Sequence, residues 1–166
     1  MTTHKVTLDS VDITSWSGRG VVNVDGGELN ISNSYIHDCA ATGIYIGGTG
    51  SRATVERTDV IKNGRGNRRT DRGISSGHSG IYMEQGNASI VDCNVSRNTF
   101  TGISAISSSH AILNLEDSDL YSNGTYQLEM PPLGSVALRN STTTNNTLSS
   151  SGIGRPRSIL FETEES

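Results

Sequence analysis

Apolar residues recur along the chain as a doublet spaced by two, followed five residues later by a third position. The doublets are Val6/Leu8, Leu29/Ile31, Ala53/Val55, Ala88/Ile90, Leu113/Leu115 and Val136/Leu138. The follower is Ile13, Ile36, Val60, Val95, Leu120 and, in the last unit, Thr143. The offset is constant in all six units, while the steps along the follower column are 23, 24, 35, 25 and 23 residues. Within a unit, apolar and polar positions alternate with period two, which predicts strands with one face turned inward. A stripe at i, i+3, i+4 is absent, which argues against a helical repeat.

Two further columns run beside these. Two residues before the follower stand Val11, Ser34, Thr58, Cys93, Ser118 and Ser141, small enough to stack inside a narrow coil. Three residues after it stand Trp16, Cys39, Asn63, Asn98, Asn123 and Asn146. Asparagine tolerates the left-handed backbone region, and its amide can bond an equivalent amide one coil away, so an asparagine ladder at a turn is expected. Gly20, Gly43, Gly80 and Gly102 then open the next strand. A unit of about 23 residues carrying three short strands winds once around a parallel β-helix, each strand pairing with its equivalent in the next coil. The strict six-residue spacing of a left-handed hexapeptide coil is missing. The expected fold is therefore all-β, a right-handed parallel β-helix of about six coils over residues 1–147. Residues 148–166 are expected to form a C-terminal docking or capping tail. The coil periodicity and the asparagine column resemble the pectate-lyase-like superfamily of right-handed β-helices over roughly residues 5–147.

The third coil is longer than its neighbours. Four residues separate the turn column from the strand glycine in the first, second and fourth coils, but Asn63 and Gly80 are 17 apart. The extra residues form a side loop at 64–79, and insertions of this kind commonly carry a solenoid's binding face. Lys62, Arg65, Arg68, Arg69 and Arg72 stand here with a single acid, Asp71, giving a local charge of about +4 on a chain of net −4. Arginine forks match carboxylates, and the resemblance implies enzymes acting on acidic polysaccharides. "SGHSGI" around His78 is similar to the glycine-flanked histidine of polygalacturonase-type glycosidases. Such enzymes also need paired aspartates in neighbouring coils. The sequence offers no evident pair, only Asp71 and Glu84 near the loop. The calcium-type acid cluster that many lyases of this fold use is absent too. Lys62, Arg65, Arg68, Arg69, Arg72 and His78 are therefore candidate binding residues, with no catalytic residue, metal or cofactor expected.

Composition agrees with a β-solenoid: 19 glycines, 5% aromatics and 18% charged residues suit short strands joined by tight turns. "GGTGS" at 47–51 lacks the Lys-Ser/Thr of a phosphate cradle and reads as a turn. The N-x-S/T triplets at Asn30, Asn87, Asn94, Asn123, Asn140 and Asn145 are expected from composition alone. Cys39 and Cys93 lie two coils apart, so their axial separation of about 9.6 Å exceeds disulfide reach. No run of 18 apolar residues occurs, so no membrane-spanning helix is expected, and the acidic net charge does not suggest nucleic acid.

At the C-terminal end an apolar knot, Ile159-Leu160-Phe161, precedes Glu162, Glu164 and Glu165. Open β-helix ends present unpaired edges and are normally covered. Leu160, Phe161, Glu162, Glu164 and Glu165 are expected to support self-association, the glutamates facing a neighbour's arginine loop. The function expected is a non-catalytic structural or adhesive subunit that self-associates, as in fibres, spikes or viral tails, and contacts glycans. The alternative is a polysaccharide lyase, hydrolase or uronate epimerase, or a fragment of one. Homo-oligomerisation through ends, sides or tail is expected, with acidic polysaccharide as the other partner. The start of the chain has no apolar signal region, and the expected final state is extracellular or virion-associated.

Overall fold

The computed structural model of the 166-residue chain describes residues 4–66, 78–105, 111–129, 135–143, 153–154 and 159–162. They form a parallel β-solenoid whose three sheets hold seven, six and six strands. The first sheet comprises β1 Lys5–Asp9, β4 Glu28–Ser32, β7 Arg52–Glu56, β10 Asn87–Val91, β13 Ile112–Glu116, β16 Ser135–Arg139 and β19 Ile159–Glu162. The second comprises β2 Asp12–Ile13, β5 Tyr35–His37, β8 Asp59–Ile61, β11 Asn94–Ser96, β14 Asp119–Tyr121 and β17 Thr142–Thr143. The third comprises β3 Val21–Asn23, β6 Ile44–Ile46, β9 Ile81–Met83, β12 Ile103–Ser104, β15 Leu128–Glu129 and β18 Ile153–Gly154. Every pairing is parallel and follows the expected columns: Val6, Leu29, Ala53, Ala88, Leu113 and Val136 lie in one row. Ile13, Ile36, Val60, Val95, Leu120 and Thr143 lie in another.

The tail continues this order. Ile159 pairs with Val136 and Glu162 with Arg139, so β19 adds a seventh strand to the first sheet of its own chain. Leu160 and Phe161 occupy the rows of Ala137 and Leu138, while Glu164 and Glu165 lie outside the described residues.

Inward residues close the core at 0–4% exposure from the second coil to the fifth, among them Ile31, Ile36, Val55, Ile90 and Leu120. Both cysteines are free and buried in it. Each coil turns its corners on residues in the left-handed region. Ser10, Asn33, Arg57, Asp92, Asp117 and Asn140 make the first corner, at φ 43–55°. Asp38, Lys62, Arg97 and Ser122 make the second, at φ 50–56°. The left-handed turn is therefore made by the residue before each asparagine of the ladder, not by the asparagine itself.

What the asparagines do instead is satisfy the inside of that turn. Asn63 donates through Nδ2 to Asn98 Oδ1 at 3.1 Å, Asn98 to Asn123 Oδ1 at 2.9 Å, and Asn123 to Gln127 Oε1 at 2.7 Å. Each amide also donates to a backbone carbonyl, those of Ile36, Val60 and Val95 in turn. The same side-chain oxygens accept the backbone N–H of Cys39, Asn63 and Asn98. Gln127 ends the ladder within its own coil, where the sequence suggests Asn146, a residue outside the described set. The strand glycines make room for this. A Cβ on Gly80 would stand 2.5 Å from Asn98 Nδ2, and one on Gly102 would stand 2.6 Å from Asn123 Nδ2.

A second ladder runs on the other side of the core. The hydroxyls of Ser34, Thr58 and Ser118 each donate to the carbonyl two residues back. They accept the N–H of Val11, Ser34 and Cys93 from the preceding coil. The column that looks like mere small packing residues is thus hydrogen-bonded throughout, with the Cys93 thiol donating to Val91 O in the serine slot.

Two substitutions measure these contributions. Ile90→Ala should lower the unfolding free energy by about 2–5 kcal/mol in urea titration, as for other buried large-to-small changes. Asn98→Leu keeps the volume but strands several buried donors and acceptors, each costing about 1–3 kcal/mol, so a loss of at least ~3 kcal/mol is expected. A loss below ~1 kcal/mol for Asn98→Leu would remove the ladder from the account of stability.

Candidate functional site

The long side loop leaves the solenoid where Gly64 follows Asn63 and returns at His78. Its root is stitched to the second coil: Gly64 and Arg65 donate their N–H to Cys39 O at 2.9 and 3.3 Å, and Gly66 to Ala40 O at 2.8 Å. This anchors Arg65, whose Nη1 lies 2.9 Å from Asp38 Oδ1. Of the remaining loop candidates, Arg68, Arg69 and Arg72 lie outside the described residues. Lys62 is a half-buried corner residue at φ 56°. His78 packs edge-on against Phe100 with ring centroids 5.7 Å apart, and burial with nearby Arg19 pushes its pKa down. Its buried Nδ1 has no hydrogen-bond partner.

Around Arg65 the structure assembles a constellation that sequence reading misses. Thr14, Trp16, Asp38, Ala40, Arg65 and Gly66 line a surface recess of about 370 Å³. Trp16 is 94% exposed, a large aromatic face presented to water. It occupies the asparagine column in the first coil. Beside the recess, His37 is held at both nitrogens: Nδ1 is 2.7 Å from Asp38 Oδ2, and Nε2 is 2.7 Å from Asp12 Oδ1. Ionised carboxylates only accept, so this arrangement favours the protonated ring, in which both nitrogens donate. Tyr35 stacks on it at 4.1 Å and 22°.

Asp12 and Asp38, from neighbouring coils, both bond to the one ring of His37. They stand 26 positions apart, one on a strand and one at a corner, so neither shares the other's column. Only the winding of the chain brings them to one ring. The pair is committed to it, however. Asp38 is shared between His37 and Arg65, and no nitrogen of His37 is left to take a proton. Among the described residues no group of three or more His, Cys, Asp or Glu is placed to hold a metal ion.

A second polar cluster lies on the outer face of the third sheet. The Tyr45 hydroxyl donates to Glu84, which together with burial raises its pKa to about 12. Arg19 sits 4.1 Å over the Tyr45 ring.

A family model described as "Right handed beta helix region" matches residues 2–76 and 79–156. No curated protein and no solved structure gives a match.

The His37 clamp predicts a pH dependence. Burial favours the neutral ring, but hydrogen bonds and charge from Asp38 and Asp12 outweigh it and raise the folded pKa. A raised histidine pKa stabilises fully below the unfolded value, about 6.5, and that stability is lost as pH rises through the folded pKa. His78 acts with opposite sign, so the readout is the difference between the wild type and His37→Gln. Their thermal midpoints should lie furthest apart near about pH 6 and draw together as pH rises above the unfolded value of about 6.5. A gap that widens with pH would contradict the clamp.

Proposed function

Since the chain belongs to the right-handed β-helix family, with a polar outer surface and one side loop, we propose that it is a non-catalytic, glycan-contacting solenoid. The recess at Trp16, Asp38 and Arg65 is its contact site. The observation carrying this reading is Trp16, 94% exposed at the wall of that recess. A lone exposed aromatic needs no partner by itself, but this one lines a recess with Thr14, Asp38 and Arg65, pairing an apolar face with polar groups. An indole face suits the C–H face of a pyranose, while the Thr14 hydroxyl, the Asp38 carboxylate and the spare guanidinium donors of Arg65 suit its hydroxyls. Because Arg65 is already paired with Asp38, the recess carries little net charge. Its ligand need not be acidic, unlike that expected from the loop's arginines alone.

Polysaccharide cleavage is the second reading, favoured by Asp12 and Asp38 flanking the recess. The clamp argues against it, since a general base needs a free lone pair and a general acid a free proton facing substrate, while His37 and Asp38 direct theirs at one another, Asp12 and Arg65. Assays for new reducing ends and for unsaturated products should register no turnover with neutral or uronate polysaccharides. Cleavage abolished by Asp12→Asn would replace the binding reading with an enzymatic one.

Trp16 is the chain's single tryptophan, so intrinsic fluorescence reports on the site alone. Titration with soluble neutral and acidic oligosaccharides should give a saturable blue shift with at least one class. Arg65→Ala should weaken it, and Trp16→Phe should bind without the signal. If no oligosaccharide moves the emission, or if Arg65→Ala leaves the response untouched, the recess is not a glycan site.

A further inference from the structure

The first coil differs from the others in what it leaves uncovered. β1, β2 and β3 each end their sheet, so all three strands present an unpaired backbone edge at the same end of the solenoid. Leu8 and Ile13 are inward members of the core columns yet only partly buried, whereas Ile31 and Ile36 one coil on are 1% and 0% exposed. Val6, Val22 and Val24 are 51%, 53% and 42% exposed. Among the described residues this end is an open cross-section of the core.

The strand at that edge is self-complementary. β1 reads Lys-Val-Thr-Leu-Asp, which is symmetric in chemistry about Thr7: apolar flanks, then one cation and one anion at the ends. We propose that this end is a two-fold interface between two copies of the chain, with β1 pairing antiparallel to the partner's β1 about Thr7. Lys5 then faces the partner's Asp9, Val6 faces the partner's Leu8, and Thr7 faces the partner's Thr7. Side chains alternate along a strand, so Val6 and Leu8 meet on the inner side and continue the core across the axis, while the charges meet on the outer side. A slip of one residue sets the apolar pair against the polar face, and a slip of two loses both ion pairs. An interface of this kind is isologous and closes at two chains.

The charges are already arranged for it. Asp9 accepts from Ser32 Oγ at 2.7 Å and Asn33 Nδ2 at 2.8 Å, which keeps it ionised and oriented. Lys5 lies 3.0 Å from Glu28 with more than half its side chain exposed, leaving donors for a second carboxylate. The proposal shares no residue with the Trp16 recess and stands apart from the glycan reading.

Sedimentation equilibrium of the full chain should give a dimer. Lys5→Asp and Asp9→Lys, each checked for native circular dichroism, should weaken it at least about tenfold. Mixing the two variants should restore association, because every pair facing across the two-fold axis is then of opposite charge again. Thr7→Cys should form a disulfide-linked dimer on oxidation, a readout that survives if a charge variant misfolds. A monomer throughout the accessible concentration range, or a dimer that ignores both charge variants, overturns the proposal. So does a mixture that associates no better than its components while Thr7→Cys fails to cross-link.

Discussion

The structure depends on one constraint: a buried backbone turn must be satisfied from inside, coil after coil, at a fixed rise. The amides of Asn63, Asn98 and Asn123 meet it by bonding to one another and to the backbone on either side, and Gln127 Oε1 accepts the last of them. Because each amide bonds to the one above, a coil cannot slip relative to its neighbour without orphaning several groups at once. The glycine column follows from the same constraint. Each ladder amide occupies the space where a Cβ on the strand glycine of the preceding coil would stand. The serine and threonine ladder holds the opposite side of the core, so register is specified at two corners and the apolar rows fill what lies between.

A solenoid tied together in this way tolerates interruptions that would disrupt a more globular sheet. The third coil takes in its side loop without losing register, since Asn63 and Gly80 keep their places in ladder and strand. The loop's root is then fastened to the second coil through Cys39 and Ala40. That fastening builds the recess. It brings Arg65 to Asp38, Asp38 to His37, and His37 to Asp12, spanning three coils with alternating charge. Elsewhere the described surface carries paired polar side chains, for instance Asp9 with Asn33 and Asn33 with Arg57. Against that background, one bare tryptophan at the end of the charge chain stands out as a place for a ligand.

The ends obey different rules from the middle. An interior coil closes its core and its backbone edges with two neighbours, whereas the first coil has one. Its apolar residues are the same kinds as elsewhere, and their exposure comes from position alone. At the other end β19 extends the first sheet by one strand, so the apolar knot that resembles a docking tag in sequence occupies a row of the chain's own ladder.

Much of this was legible in the chain. Parallel in-register winding writes the same physical requirement into each coil, so Leu8, Ile31, Val55, Ile90, Leu115 and Leu138 recur at one offset and reveal their row. The asparagine column was legible for the same reason: its amides bond from coil to coil as expected, while the left-handed residue is the one before it. Features that do not repeat left no such trace. Asp12, His37, Asp38 and Arg65 belong to different columns and different coils, and no spacing links them. The exposure of Trp16 and the openness of the first coil depend on which neighbours a residue lacks. The sequence by itself therefore determined the repeating unit, its register and its inward face, because these are local and periodic. Only the tertiary structure decided the clamp, the recess and the open end, because each arises from contacts made, or left unmade, between coils.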